Sequence, residues 1–267
     1  MQETGPDRTL FSDHFGFRLP AIVNFVGGGG KTGLILTLLD EYSPSCTVLY
    51  TTTTRIHPPV IRNGLAIIAC QEKRLLKHLL ARLASLVQIQ KGIFVLTRPG
   101  FRPDLLQGLD PDFGRMLEPE SFPLVLNEAD GARSMSIKFP REGEPVLMEC
   151  ANYMVPVIGL DCLNRPIGPE TLFRWELASA RLSLVQGEVL TATKAASLLF
   201  HPQGVCKDWK PDMRLIPFIN KVDSPDGDAL ALELAHAMLQ DSTFSVEKVV
   251  WGSLQNRRVH SIASQKQ

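Results

Sequence analysis

The sequence predicts an α/β fold, a mostly parallel sheet with helices on both faces. Three observations carry the prediction. Short apolar runs rich in strand formers alternate with stretches of helical periodicity, the first such run ends in four glycines, and later runs end in carboxylates or in Asn-Lys. In the opening unit, Ala21 to Val26 is an apolar run that stops at Gly27 to Gly30. From Lys31 the spacing changes, with Leu34, Ile35, Leu38 and Leu39 on one helical face before the breaker Ser43-Pro44. Cys46 to Tyr50 reads as a second strand, and strand, loop, helix, strand in a right-handed crossover gives a parallel pair.

The alternation then continues. Ala66 to Cys70, Ile93 to Thr97, Pro123 to Asn127 and Val155 to Leu160 read as strands, and Glu72 to Val87 as an amphipathic helix. Trp175 to Val185 and Thr191 to Phe200 read as helices, Arg214 to Asn220 as a strand, Asp228 to Leu239 as a helix and Val246 to Trp251 as the last strand. Residues 98–120 are broken by prolines and by Gly100, Gly108 and Gly114, and are expected to form an irregular excursion over the sheet. Residues 255–267 are expected to be a loose tail, and no composition shift divides 1–267 into more than one domain with insertions.

Composition narrows the function. A chain of 267 residues can bury a core without disulfide staples. Its 28 basic and 28 acidic residues cancel, so nucleic acid is not the expected partner. No apolar run approaches the roughly 18 residues of a spanning helix, and Met1 to Phe17 lack a basic stretch followed by an apolar one, so no membrane role is expected. Five cysteines without a CxxC pair suit a reducing cytoplasm.

Gly27-Gly28-Gly29-Gly30-Lys31-Thr32 lies between a strand and a helix, the context in which a glycine loop binds anions. Glycines let the backbone wrap a phosphate, the helix start adds the positive end of its dipole, and Gly33 continues the run of available N–H groups. Lys31 is expected to reach the β- and γ-phosphates and the Thr32 hydroxyl to hold Mg²⁺. The loop is a shortened G-x-x-G-K-T form, because Phe25 stands where the longer spacing has glycine. A strand running into Glu128-Ala129-Asp130-Gly131 places two carboxylates at the edge where α/β sheets bind ligands. Thr32 and Asp130 are expected to hold Mg²⁺ and Glu128 to join that metal set or position a water, with Arg133 near enough to meet a phosphate. These features define the expected fold more closely, as three-layer and P-loop NTPase-like. A late strand leads into Asn220-Lys221-Val222-Asp223, an N-K-x-D pattern whose carboxylate would pair with the two adjacent donors of guanine; a strand-end serine, Ser253, would line the same pocket. The cofactors expected are therefore Mg²⁺ with GTP or ATP.

These motifs, in their order, together with Thr51 to Thr54 and Ala132-Arg133, resemble the YqeC family, accessory proteins in the biosynthesis of the selenium cofactor of selenium-dependent molybdenum hydroxylases. Lesser similarities are Lys138-Phe139-Pro140, Glu144-Pro145-Val146, Val157 to Asp161, Arg174 and Gly204 to Lys207, while Gly28 departs from the family's tendency to a small side chain between the loop glycines. The resemblance implies a cytoplasmic role in making or inserting a selenium-containing centre, with a nucleotide as cofactor. The partner it implies is such a hydroxylase or another cofactor-biosynthesis protein. Cys162, beside the Gly159-Leu160-Asp161 segment, is the thiol considered for carrying selenium. The reaction expected is hydrolysis of the nucleoside triphosphate, with Lys31, Glu128 and Asp130 as the catalytic residues, and two other mechanisms remain open. One is a non-hydrolysing, nucleotide-dependent chaperone or scaffold. The other is a phosphoryl or nucleotidyl transferase walled by Thr51 to Thr54 and the 98–120 excursion.

Overall fold

The computed structural model describes residues 9–58, 65–87, 93–102, 104–224 and 226–264. Parts of the expected amino-terminal segment and tail, residues 1–8 and 265–267, lie outside the described residues, as do Pro59 and Pro103. In chain order the elements are α1 (Phe11–Phe15), β1 (Ala21–Gly27), α2 (Lys31–Tyr42), β2 (Val48–Thr52), β3 (Leu65–Ala69), α3 (Lys73–Val87), β4 (Ile93–Pro99) and β5 (Leu106–Gln107). There follow β6 (Leu124–Glu128), β7 (Ile137–Lys138), β8 (Tyr153–Gly159), β9 (Leu172–Phe173), α4 (Trp175–Leu182), α5 (Ala192–Leu199), β10 (Arg214–Leu215), β11 (Phe218–Asn220), α6 (Gly227–Gln240), β12 (Lys248–Ser253) and β13 (Arg258–Ala263).

The main sheet runs β13-β12-β11-β8-β1-β6-β2-β4-β3, parallel throughout except for β13. Period-two alternation sends Phe25, Leu126 and Val157 to one face, where they pack with α1 and α2. It sends Val125 to α3 on the other face, and Val26, Ile158 and Ile219 to the layer of α4, α5 and α6. The sheet is thus the middle of three layers. Strands covered on both sides must be apolar at nearly every position, which is why β8 is buried along its whole length and reads as a continuous run.

The glycine-loop strand β1 lies at the centre, between β8 and β6. The chain winds outward from β1 to one edge and later returns to its other side, so strand order reverses there. Ligand crevices of doubly wound sheets form at such reversals. Two expectations are corrected. The strand read over Arg214 to Asn220 is two short ones, β10 and β11, because Pro217 between them has no N–H for the ladder. Within the expected tail, β13 pairs antiparallel with β12 from Lys248↔Ala263 to Ser253↔Arg258. The 98–120 excursion contains β5 and a 3₁₀ helix at Pro111–Met116 and is tied back by hydrogen bonds between Ile56 and Leu106.

Candidate functional site: a glycine loop, a buried ion-pair chain and the Asn220–Asp223 turn

All four loop glycines are required by the space around them. Gly27, Gly29 and Gly30 have φ of 94°, 75° and 114°, the left-handed region that side chains avoid. Gly28 is held by contact instead, since a Cβ there would sit 2.5 Å from the Met135 carbonyl oxygen. The first three amides do not point into an open cradle. Gly27 N–H donates to Asp130 Oδ2 (3.0 Å), Gly28 N–H to Val157 O (2.9 Å) and Gly29 N–H to Met135 O (2.9 Å). These amides fasten the loop to its neighbours, which corrects the expectation that the whole loop cradles phosphate. The first intrahelical bond is Leu34 N–H to Gly30 O, so the N–H groups with no helical acceptor belong to Gly30, Lys31, Thr32 and Gly33. The first turn of α2 carries no acidic side chain to compete for the helix dipole.

Lys31, Glu128 and Asp130 meet just behind this turn and are all buried. The Lys31 ammonium donates to Gly27 O (2.6 Å) and lies 3.0 Å from Asp130 Oδ1, an ion pair without hydrogen-bond alignment, and 4.0 Å from Glu128 Oε1. The two carboxylates have different surroundings. Glu128 accepts from the Thr32 hydroxyl (2.9 and 3.2 Å) and the Tyr50 hydroxyl (2.9 Å). Asp130 is closed between Lys31 and Lys138 (3.2 Å). The carboxylate beside the Thr32 hydroxyl is therefore Glu128, whereas the sequence pairs Thr32 with Asp130. Burial pushes the Glu128 carboxyl above its ordinary value, outweighing Lys31 and the two hydroxyls, and burial beside Glu128 raises Tyr50 as well.

From Asp130 the ion pairs continue outward. Lys138 bridges Asp130 and Glu144 (2.9 Å), and Arg174 grips Glu144 with two bonds of 2.6 and 2.9 Å. Burial works to raise Glu144, but the Arg174 and Lys138 contacts prevail and hold it at about 2. Lys138, Glu144 and Arg174 are separate short similarities in the sequence, and nothing there shows that they meet. One signal was present: Lys138 sits alone in the apolar Ile137-Lys138-Phe139, where a lysine must find buried partners.

The Asn220 to Asp223 turn docks on the glycine loop. Asn220 Nδ2 donates to Gly29 O (2.7 Å), and a Cβ on Gly30 would fall 2.6 Å from that nitrogen. Lys221, at φ 63°, turns away to donate to Ser136 Oγ (2.6 Å) and to pair with Asp161 (2.9 Å). Asp223 is exposed, with Oδ1 fixed by the Ser253 hydroxyl at 2.5 Å and that hydroxyl in turn accepting from Asn256 N–H.

Other candidates fall elsewhere. Thr51 and Thr52 are buried and donate to Leu96 O and Glu128 O, while the Thr53 hydroxyl donates to Val146 O. Arg133 lies against the Phe173 ring instead of the acidic pair. Cys162 is buried and its thiol is pushed up to about 12, far from a thiolate at neutral pH.

The family model described as YqeC protein matches residues 23–176. A protein of Escherichia coli (strain K12) bearing the name uncharacterized protein YqeC is 28% identical over 240 residues, covering 88% of each chain. No solved structure matches.

Proposed function

The chain belongs to the YqeC family, and from that premise and the geometry of the glycine-loop edge we propose that it is an accessory protein that binds GTP with Mg²⁺. The observation that carries this reading is the bond from Asn220 Nδ2 to Gly29 O, which joins a base-reading turn to a phosphate-binding loop. Gly29 and Asn220, 191 positions apart in the chain, thereby bring the two motifs together at one edge of the sheet. The free N–H groups of Gly30 to Gly33 would receive phosphate oxygens, with the Lys31 ammonium shared between them and Asp130. Ser253 holds one oxygen of Asp223 so that the carboxylate presents a fixed edge. Guanine offers it two adjacent donors, whereas adenine would oppose a lone pair.

The hydroxyl of Thr32 and the carboxylate of Glu128 are hard oxygen donors suited to Mg²⁺, which keeps few protein ligands and takes the remainder from phosphate and water. When bound, Mg²⁺ supplies neutralisation of phosphate charge. Asp130, enclosed by Lys31 and Lys138, positions the lysine instead. The place of this activity in the biosynthesis or insertion of the selenium cofactor of molybdenum hydroxylases rests on the family resemblance, and the buried Cys162 thiol offers it no selenium carrier.

Calorimetry with non-hydrolysable GTP and ATP analogues in Mg²⁺ tests the reading. GTP is expected to be preferred at least tenfold by the parent, and Asp223→Asn, whose amide offers a donor to the C2 substituent, should move the preference to xanthosine triphosphate. Release of phosphate from GTP is expected to need Lys31 and Glu128. Equal binding of ATP, or no binding by folded, nucleotide-free protein, would overturn it.

A further inference from the structure

Beside the glycine loop, at the same carboxyl edge of the sheet, lies an open cleft of about 640 Å³. Its floor is the end of β2 with Gly131, and its far wall is Gln107 to Pro111 of the excursion. Five arginines line it, Arg55, Arg98, Arg133, Arg141 and Arg174, against only two carboxylates, Asp110 and Glu144. Such an imbalance is unusual in a chain whose formal charges cancel.

The pairing inside the cleft sharpens the point. Arg98 is matched by Asp110 at 2.5 Å. Glu144 is shared by Arg141, Arg174 and the buried Lys138, whose other carboxylate is Asp130, so two arginines of the cleft have this one carboxylate between them. Arg55 and Arg133 have no carboxylate partner among the described residues. Arg133 and Arg174 also hold left-handed backbone, at φ 46° and 64°, and both guanidinium groups approach the Phe173 ring, at 5.6 and 4.8 Å from its centroid. The Phe173 ring thus holds two guanidinium groups side by side, of which only Arg174 is paired with a carboxylate among the described residues. A multiply charged anion would supply the negative charge that these groups lack.

We infer that this cleft is a second binding site, for a small molecule carrying a diphosphate group. Guanidinium forks match phosphate oxygens two at a time, and several forks around one cleft suit two linked phosphates better than a single carboxylate. The volume is that of a small-molecule site. The site stands apart from the nucleotide reading, although the chain Arg174–Glu144–Lys138–Asp130–Lys31 joins the two. It gives the transferase alternative a place for its second ligand.

The test is calorimetric titration of inorganic pyrophosphate into the full chain, without Mg²⁺ and with EDTA. It uses the parent, the Arg55→Ala/Arg133→Ala double variant and Lys31→Ala, all checked for folding by circular dichroism. Neither arginine of the double variant breaks an ion pair among the described residues, so the fold is expected to hold. Pyrophosphate affinity should fall at least tenfold in the arginine variant and survive in Lys31→Ala. Loss only in Lys31→Ala would place the pyrophosphate in the glycine loop, and unchanged or absent binding would leave the cleft without this ligand; each overturns the inference. Sulfate competing as well as pyrophosphate would show a general anion attraction and overturn it too. Failure of GTP binding would not touch the result, because no nucleotide is present.

Discussion

Replacing Lys138 by methionine keeps the apolar stem and removes the ammonium. That ammonium donates to Glu144 Oε2 at 2.9 Å and to Gly131 O at 2.8 Å, and forms an ion pair with Asp130 Oδ2 at 3.2 Å. Glu144 would keep Arg174 and Arg141. Asp130 would keep Lys31 and the Gly27 N–H but, having no solvent exposure, could not recruit water in place of the lost cation. Breaking a buried pair costs about 3–5 kcal/mol. Because each carboxylate retains a second cation, the lower figure applies, about 3 kcal/mol, or roughly 6–12 °C in Tm for a chain of this size. Asp130→Asn in the Lys138→Met background removes the stranded charge. A double-mutant cycle on urea unfolding should therefore show at least about 1 kcal/mol of coupling. A Lys138→Met variant within about 0.5 kcal/mol of the parent, or strict additivity with Asp130→Asn, would refute the claim that this lysine holds the chain of charges together.

Two further outcomes are expected. Glu128→Gln should stabilise the ligand-free protein at neutral pH: burial raises the folded-state pKa above the unfolded value near 4.5, so the parent loses stability as pH rises through the folded pKa and the neutral amide does not. The Tm difference should widen from pH 4 to pH 7, and a difference that is flat or reversed would contradict the burial argument. Gly28→Ala should destabilise by about 1–3 kcal/mol, since its Cβ would fall 2.5 Å from the Met135 oxygen and 3.1 Å from the Ser136 carbonyl carbon; Gly131→Ala, with nothing within 4 Å, is the control. Equal unfolding midpoints in urea for the two variants would show that the loop yields freely.

The pieces of the site that could be read in advance are those carried by a few consecutive residues. Gly27 to Thr32 announces an anion loop because glycine and helix start are adjacent in the chain. Glu128 to Asp130 announces an acidic strand end, and Asn220 to Asp223 a turn able to read a base. Their partners were not readable. Tyr50, which donates to Glu128, looks like any aromatic at a strand end; Ser253 was legible as a strand-end serine near the base pocket, but not its bond to Asp223. Cys162, considered as a selenium carrier for its neighbourhood in the sequence, is buried, and its thiol is pushed up to about 12.

Periodicity and loop chemistry by themselves determined the α/β class, the strand–loop–helix opening and the edge of the sheet at which the polar motifs gather, because each depends on residues within about one turn or one strand. Only the tertiary structure decided which carboxylate meets Thr32, that the first three loop amides bind protein acceptors, that Lys138, Glu144 and Arg174 form one chain, and that five arginines share a cleft. The physical reason is register. Phe25 pairs with Glu128, Gly27 with Val157 and Gly159 with Asn220 across three separate strand ladders, and those pairings bring together residues that are distant in the chain. Strand order and register are set by the packing of both faces of the sheet at once, which no local stretch of sequence contains.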